Sequence, residues 1–343
     1  MQKVKRTRKL IHERLKQIEY FYTLTSIKPL KNDSVRSESM IQPVFDSSLK
    51  VLENIFNDNA GTEYHFEYEQ EDTEPIDIPS DNNKMIVCFS GGKDSLATAL
   101  HYKNLGYNVI LYHLRGINKC YPKEYIYAER LAEQLELPIV VESITLSGSH
   151  EWIEHPMKNM ILANMALSYA VSEEHTTNIA FGNYLTSHLE DDPFEICSGD
   201  DVEMWDAYNS IVQTFIPNFK MNLVLTNILD SMECLVQHKD LIQNVSSCIG
   251  THRFTSYYRR QNKSKYNVEI ADNRCGSCWK CAYEYIYLTD NNVYEYNEGY
   301  YKHCMEVLRR TLKQETGRKY TLTDTWNHYF FYDMSKSKYF TNV

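Results

Sequence analysis

The stretch MIVCFSGGKDSLATAL, Met85 to Leu100, constrains this chain more than any other part of it. An unbroken apolar run meets a Gly-Gly turn, and a helical pattern follows that Gly106 ends. A short continuous apolar run is typical of a strand covered on both faces. The alternation continues downstream. NVILYHL and PIVVESITL read as strands, with the helix pattern KEYIYAERLAEQLEL between them; the long helix pattern PMKNMILANMALSYAVSEE and the strand NIAFGNY come next. Strands alternating with helices of about ten residues or more predict a parallel sheet with right-handed crossovers. The expected fold class is α/β, a doubly wound parallel sheet, which binds ligands at the carboxyl ends of its strands.

The loop Ser90-Gly91-Gly92-Lys93-Asp94-Ser95 sits at one of those ends. Two glycines let the backbone turn sharply and approach a ligand. The N–H groups of the first helical turn and the helix dipole favour an anion there. Ser90 and Ser95 add hydroxyls, and Lys93 adds charge. A plain strand-to-helix turn with a capping serine is the alternative. In the Gly-x4-Gly-Lys-Ser/Thr loop, lysine reaches the β/γ-phosphates and the adjacent hydroxyl ligates Mg²⁺; here Asp94 separates Lys93 from Ser95. Ser-Gly-Gly-x-Asp-Ser instead resembles the signature of the PP-loop ATP pyrophosphatases. That resemblance implies ATP and Mg²⁺ as cofactors. It also implies a loop that cradles pyrophosphate while AMP passes to a substrate oxygen, with Lys93 contacting phosphate and Asp94 touching Mg²⁺ or ordering the loop.

Composition narrows the class. The 343 residues, 43% hydrophobic and 24% charged, suit a folded soluble protein. The longest nearly apolar run, Met160 to Val171, falls short of the ~20 residues that span a bilayer, so no membrane partner is expected. The basic opening MQKVKRTRKLIHERLK has no apolar core behind it, unlike a secretory signal. Nine cysteines without such a signal point to reduced thiols, metal ligands or catalysis. A cytoplasmic protein is expected. The net charge of −10 argues against a broad grip on nucleic acid. Three regions are expected: an N-terminal extension over 1–84, with helices near Leu10–Phe21 and Ser47–Phe56 and a short strand after them; an ATP-binding domain over 85–230; and a C-terminal region over 231–343.

That last region contains RCGSCWKCAYEYIYL. Cys275, Cys278 and Cys281 follow Cys-x2-Cys-x2-Cys, and zinc wants four tetrahedral ligands. Cys248 is the expected fourth, with His252 as the alternative. Structural Zn²⁺ is the leading reading; an iron–sulfur cluster or unliganded thiols are the others. Cys88 is expected in the core of its strand.

Loop and cysteines together, in this order, resemble the 7-cyano-7-deazaguanine synthases of queuosine biosynthesis. These end in Ser-Cys followed by Cys-Gly-x-Cys-x2-Cys, here Ser247-Cys248 and Cys275 to Cys281. The resemblance covers roughly 85 to 290. It implies ATP-dependent conversion of a 7-carboxy-7-deazaguanine carboxylate to a nitrile, with ammonia as nitrogen donor. The family's Pro-x-Arg-Asn becomes Pro156-Met157-Lys158-Asn159, which would place Lys158 on phosphate and Asn159 near the nucleotide. Its Gly-x-Asn becomes Gly182-Asn183, nucleotide- and substrate-facing. Two substrate motifs depart: Gly116 to Tyr121 replaces one, and Ser198 to Val202 keeps only Asp200, a candidate for base recognition or metal. Relatives also occur in antiviral gene clusters and phage genomes, so the resemblance does not confine the role to tRNA.

Between Cys248 and Cys275 an added basic-aromatic loop, 252–266, interleaves His252, Arg253, Arg259, Arg260, Lys263 and Lys265 with Tyr257, Tyr258 and Tyr266. A solvated loop is the default; docking of nucleic acid or an acidic protein is the sharper reading. The Tyr-rich residues 282–343, with a helix over HCMEVLRRTLKQ, suggest packing or a homodimer surface. Two other functions stay open: a tRNA-thiolating PP-loop enzyme, and a zinc-bearing module that binds ATP without catalysis.

Overall fold

The structure, a computed structural model, describes residues 3–6, 28–30, 65–67, 78, 83–116, 124–143, 158–183, 202–214, 216–225, 228–246, 248 and 252–316. In chain order the strands are β1 (Lys3–Arg6), β2 (Lys28–Leu30), β3 (His65–Glu67), β4 (Lys84–Cys88), β5 (Asn108–Arg115), β6 (Ile139–Ser143), β7 (Ile179–Asn183) and β8 (Asn222–Leu225). The helices are α1 (Lys93–Asn104), α2 (Glu124–Gln134), α3 (Lys158–Tyr169), α4 (Val202–Gln213), α5 (Ile228–Gln237), α6 (His252–Tyr266), α7 (Trp279–Asp290) and α8 (Glu298–Thr316).

Six strands form one sheet in the order β1-β6-β5-β4-β7-β8, and every neighbouring pair is parallel. This is an α/β fold with a parallel sheet of nucleotide-binding type. The chain builds outward from β4 through β5 to β6, then crosses back to lay β7 on the other side of β4. The order reverses between β4 and β7, and a crevice opens at such a switch point. From the N-terminal region, β1 extends the sheet beside β6, pairing Val4 with Val140. β2 and β3 pair antiparallel with each other; β3 falls where a short strand was expected. The helices expected near 10–21 and 47–56 lie outside the described residues.

The apolar run of β4 is continuous because both sheet faces are covered. Ile86 and Cys88 enter one core with Tyr112, Leu114 and residues of α3 and α4 such as Met165 and Trp205. Met85, Val87 and Phe89 point the other way, into a core shared with α1, α2 and α5. Helices α7 and α8 join that second core through Ile286, Tyr301 and Met305. The cysteine region is thereby packed on the same side of the sheet as α1.

Two departures from the sequence reading are local. The basic segment 252–266, expected as a loop, is helix α6. It contains neither Gly nor Pro, and its Arg, Lys and Gln residues favour helix. The helix pattern running to Glu174 changes character at Ala170, where one wide turn, Ala170–Glu174, leads to His175 in the left-handed region (φ 52°). Among the described residues, no helix is long and apolar enough to cross a membrane.

Candidate functional site

Strand β4 delivers the chain to Ser90 at the sheet's carboxyl edge, beside the switch point. Gly91 then takes φ +81°, and a Cβ there would lie 3.0 Å from the backbone nitrogen of Ala128 in α2. Helix α1 begins at once, with Gly92 as its N-cap and no side chain capping it. The leading N–H groups of a helix have no intrahelical partner, so those of Lys93, Asp94 and Ser95 form an anion-ready end. Ser95 Oγ donates to the Gly92 carbonyl (3.1 Å) and lies 3.3 Å from Ser90 Oγ, which accepts from Gly92 N–H at 3.3 Å. These bonds hold both hydroxyls at the mouth of the loop.

The loop's charges are balanced internally. Lys93 Nζ donates to Asp94 Oδ1 at 2.6 Å, and Ser231 Oγ from α5 donates to the same oxygen at 2.7 Å. Burial opposes the Asp94 charge, but Lys93, the two hydrogen bonds and the more distant Lys280 together hold its carboxyl below the usual range. His113, buried on β5, places Nδ1 2.8 Å from the carbonyl oxygen of Phe89 at the loop's entry. Burial keeps this imidazole's pKa below its ordinary value.

Topology brings several other expected residues to the same edge. Lys158 and Asn159 open α3, the crossover helix leaving that edge, and Gly182–Asn183 close β7. Gly182 has a steric reason to be glycine. A Cβ would meet Thr98 Oγ1 at 2.4 Å and the Asp94 carbonyl oxygen at 2.6 Å, so β7 can lie against the first turn of α1 only without one. Asp200 lies outside the described residues.

The second centre gathers Cys248, Cys275, Cys278 and Cys281, whose sulfurs all lie within 4.8 Å of one another. Cys248 and Cys278 are 3.9 Å apart, as are Cys275 and Cys281. Four sulfurs tetrahedral at the usual Zn–S length would be about 3.8 Å apart. Backbone N–H groups of Cys275, Ser277 and Cys278 point at sulfurs at 3.2–3.3 Å, which suits thiolates. Hydrogen bonds from the other three cysteines hold the Cys278 thiol well below its ordinary pKa. Gly276 (φ +70°) makes the turn, and its carbonyl accepts from Asn262 and Tyr300. The donor set is sulfur only, so it fits a closed metal site. Cys88, by contrast, is buried in β4, where burial pushes its thiol up.

The two centres are joined. Ser246, two residues before Cys248, donates its N–H to the Gly91 carbonyl at 2.8 Å. Just before Cys275, Arg274 is buried against Glu284 of α7 at 2.5 Å and donates to the Ile242 carbonyl. Sequence reasoning missed Ser231, Ser246, Lys280 and the Arg274–Glu284 pair. Lys280 could have been found, since it stands inside the cysteine motif. Ser231 carries no local signal, lying 137 residues from Asp94.

On the outer side of the cysteines, a cleft of about 780 Å³ opens between α6 and α8, bordered by Cys275 and Cys278.

No protein-family model matches the sequence, and no curated protein does. Among solved structures, an NMN synthetase from Francisella tularensis matches at 12% identity and a TM-score of 0.32, covering 83% of this chain and 99% of that one. The fold stands on strand order and core.

Proposed function

We propose that this chain is an ATP-dependent adenylating enzyme that makes a carbon–nitrogen bond, resembling the 7-cyano-7-deazaguanine synthases. The observation that carries the reading is the uncapped N-terminus of α1, preceded by Gly91-Gly92 and flanked by Ser90 and Ser95, at the carboxyl end of the central strand. The α1 N–H groups, the two hydroxyls and Lys93 would hold the pyrophosphate of ATP as it leaves. Asp94 holds Lys93 Nζ at the loop through their 2.6 Å ion pair. Mg²⁺ would enter with the nucleotide and offset phosphate charge, with Asp94 as the loop's own carboxylate. Lys158 and Asn159 at the start of α3 and Asn183 at the end of β7 lie along the same edge, and in this reading they would contact the nucleotide or acceptor.

In this reading a carboxylate oxygen of the acceptor, 7-carboxy-7-deazaguanine or a relative, attacks the α-phosphorus and pyrophosphate departs. Ammonia then displaces AMP from the activated carbon and leaves an amide. Activating that amide oxygen in the same way removes it as a second AMP and yields the nitrile. The protein's share is positioning and electrostatic stabilisation of the leaving phosphates. We assign the four-cysteine cluster to structural Zn²⁺, held by Cys248, Cys275, Cys278 and Cys281. The cluster steadies Ser246 and through it the Gly91 carbonyl.

The test is product analysis by mass spectrometry with ATP, Mg²⁺, ammonium and 7-carboxy-7-deazaguanine. AMP, pyrophosphate and the nitrile should appear together, and Ser95→Ala should cut turnover roughly a hundredfold, the scale of losing one transition-state donor. ATP bound without any pyrophosphate release, whatever carboxylate is offered, would replace this reading with a nucleotide-binding module.

A further inference from the structure

The cleft between α6 and α8 has a composition that neither the adenylation chemistry nor the metal cluster requires. Its α6 wall presents Tyr258, Gln261, Asn262 and Lys265, spaced as one helical face. Its α8 wall presents His303, Val307 and Arg310, again on one face. No carboxylate lines it among the described residues. Its volume of about 780 Å³ falls within the range of ligand sites.

The lining points to a ligand with flat rings and negative charge. Tyr258 is 40% exposed, an unusual state for so large a ring, and its neighbour Tyr257 is 49% exposed. Tyr266 and His303 lie with ring centroids 5.3 Å apart, their planes tilted by 30°. His303 Nε2 is buried and has no hydrogen-bond partner. Lys265 makes no ion pair with a described carboxylate; its ammonium sits over the Tyr266 ring at 5.0 Å. Among the described residues Arg310 pairs with exposed Glu306 at 3.0 Å, a surface contact weak enough for a phosphate to displace. Helix α6 has no acidic residue, in a chain whose net charge is −10. An acidic peptide would need only the cations. The exposed ring of Tyr258 and the Tyr266–His303 pair beside those cations are what base stacking needs.

We propose that this cleft binds single-stranded nucleic acid, stacking bases on Tyr258 and Tyr266 and setting phosphates against Lys265 and Arg310. The proposal requires neither ATP nor adenylation, so its failure would leave the reading of the phosphate loop intact. The cleft lies beside the cysteine cluster, whose turn anchors Asn262 through the Gly276 carbonyl. A strand docked here would touch the side of the metal site away from the sheet.

The test uses the full chain with its metal in place and fluorescence anisotropy of labelled 12-mers of uridine, of thymidine and of glutamate. Both oligonucleotides, or one of them, should bind, and their ratio tells whether RNA or DNA is preferred. With two cations engaged, log affinity should fall against log salt with a slope of about −1.4. Lys265→Glu should weaken binding at least about tenfold and flatten that slope. Tyr258→Ala, at an exposed position that cannot unfold the core, should weaken it about tenfold by loss of one stacking partner. Metal content and circular dichroism verify that each variant is intact. The proposal is overturned if neither oligonucleotide binds, if both variants bind like the parent, or if polyglutamate binds as tightly as the oligonucleotides.

Discussion

The Ser90–Ser95 loop and the cysteine cluster are both small sites, proposed above to hold one charged group each, yet they balance charge in opposite ways. At the loop, Lys93 and Asp94 stand 2.6 Å apart and cancel before any ligand arrives. At the cluster, four sulfurs converge within 4.8 Å, with backbone N–H donors and one another as hydrogen-bond partners. The first is a finished piece of fold that an anion can enter or leave. The second, in the assignment proposed above, is completed by a cation. Emptying the loop should therefore cost little stability, and emptying the cluster should cost a great deal.

The most damaging way to challenge that contrast is Cys278→Ser. Binding free energy at a structural zinc site is folding free energy, on the order of 10 kcal/mol or more. The variant should lose its metal and its soluble yield together, read by elemental analysis and thermal unfolding. A stable, metal-free variant with parental activity would erase the distinction between the centres. A step down is Glu284→Gln. Arg274 and Glu284 have side chains only 6% and 5% exposed, and leaving one buried charge unpaired costs about 3–5 kcal/mol. Denaturant unfolding should show that loss. The double variant Arg274→Met, Glu284→Leu should recover most of it, because replacing a buried pair by apolar groups is often near neutral. If the double variant is as unstable as the single one, the pair is instead holding the cysteine turn through its bond to the Ile242 carbonyl.

How far the sequence could be read follows the same divide. The loop is contiguous, and its strand and helix announce themselves by an apolar run and a Gly-Gly turn, so its place between β4 and α1 and the α/β class were legible. Three of the four sulfurs fall within seven residues, which made the cluster legible too; Cys248 was harder, lying 27 residues before Cys275. What stayed hidden was every partner supplied by tertiary folding. Ser231 reaches Asp94 only because α5 packs beside α1. Ser246 reaches Gly91 only because the cysteine region folds onto the same sheet face. The helix α6 was read as a loop because a run of charges with scattered tyrosines gives no amphipathic period. Among the described residues of α6 the buried one is Asn262, a polar residue that periodicity does not count, with Tyr266 packed against the core a turn later.

Gly182→Ala probes the loop's dependence on the sheet. The added methyl would stand 2.6 Å from the Asp94 carbonyl oxygen, backbone that cannot swing aside. Either β7 or the first turn of α1 must shift, an overpacking cost of about 1–3 kcal/mol. Because that turn carries the candidate anion site, ATP affinity should fall further than stability does, while the metal content stays parental. A variant that binds ATP normally would mean the loop does not rely on its seat against β7.

The smallest expected effect, and the one that best separates the two centres, is acid titration. His113 is 3% exposed and holds a depressed pKa: burial lowers it, Arg115 lowers it further, and the Phe89 carbonyl and Glu129 only partly oppose them. In the unfolded chain a histidine takes up its proton near pH 6.5. Below that pH the unfolded state binds the proton that the folded state refuses. Stability is therefore complete above about pH 6.5 and falls as the pH drops, by at most about 1.4 kcal/mol per unit for each such histidine. His303 has the same sign, so the parental slope between pH 6.5 and 5.5 counts both. His113→Asn should remove one proton from that slope, with an amide able to donate to the Phe89 carbonyl in place of Nδ1. Acid acts on the cluster differently, by protonating thiolates and releasing metal, so elemental analysis across the same range separates the two. A slope unchanged in His113→Asn, with metal leaving in step with unfolding, would assign the acid sensitivity to the cysteines and leave the loop indifferent to pH.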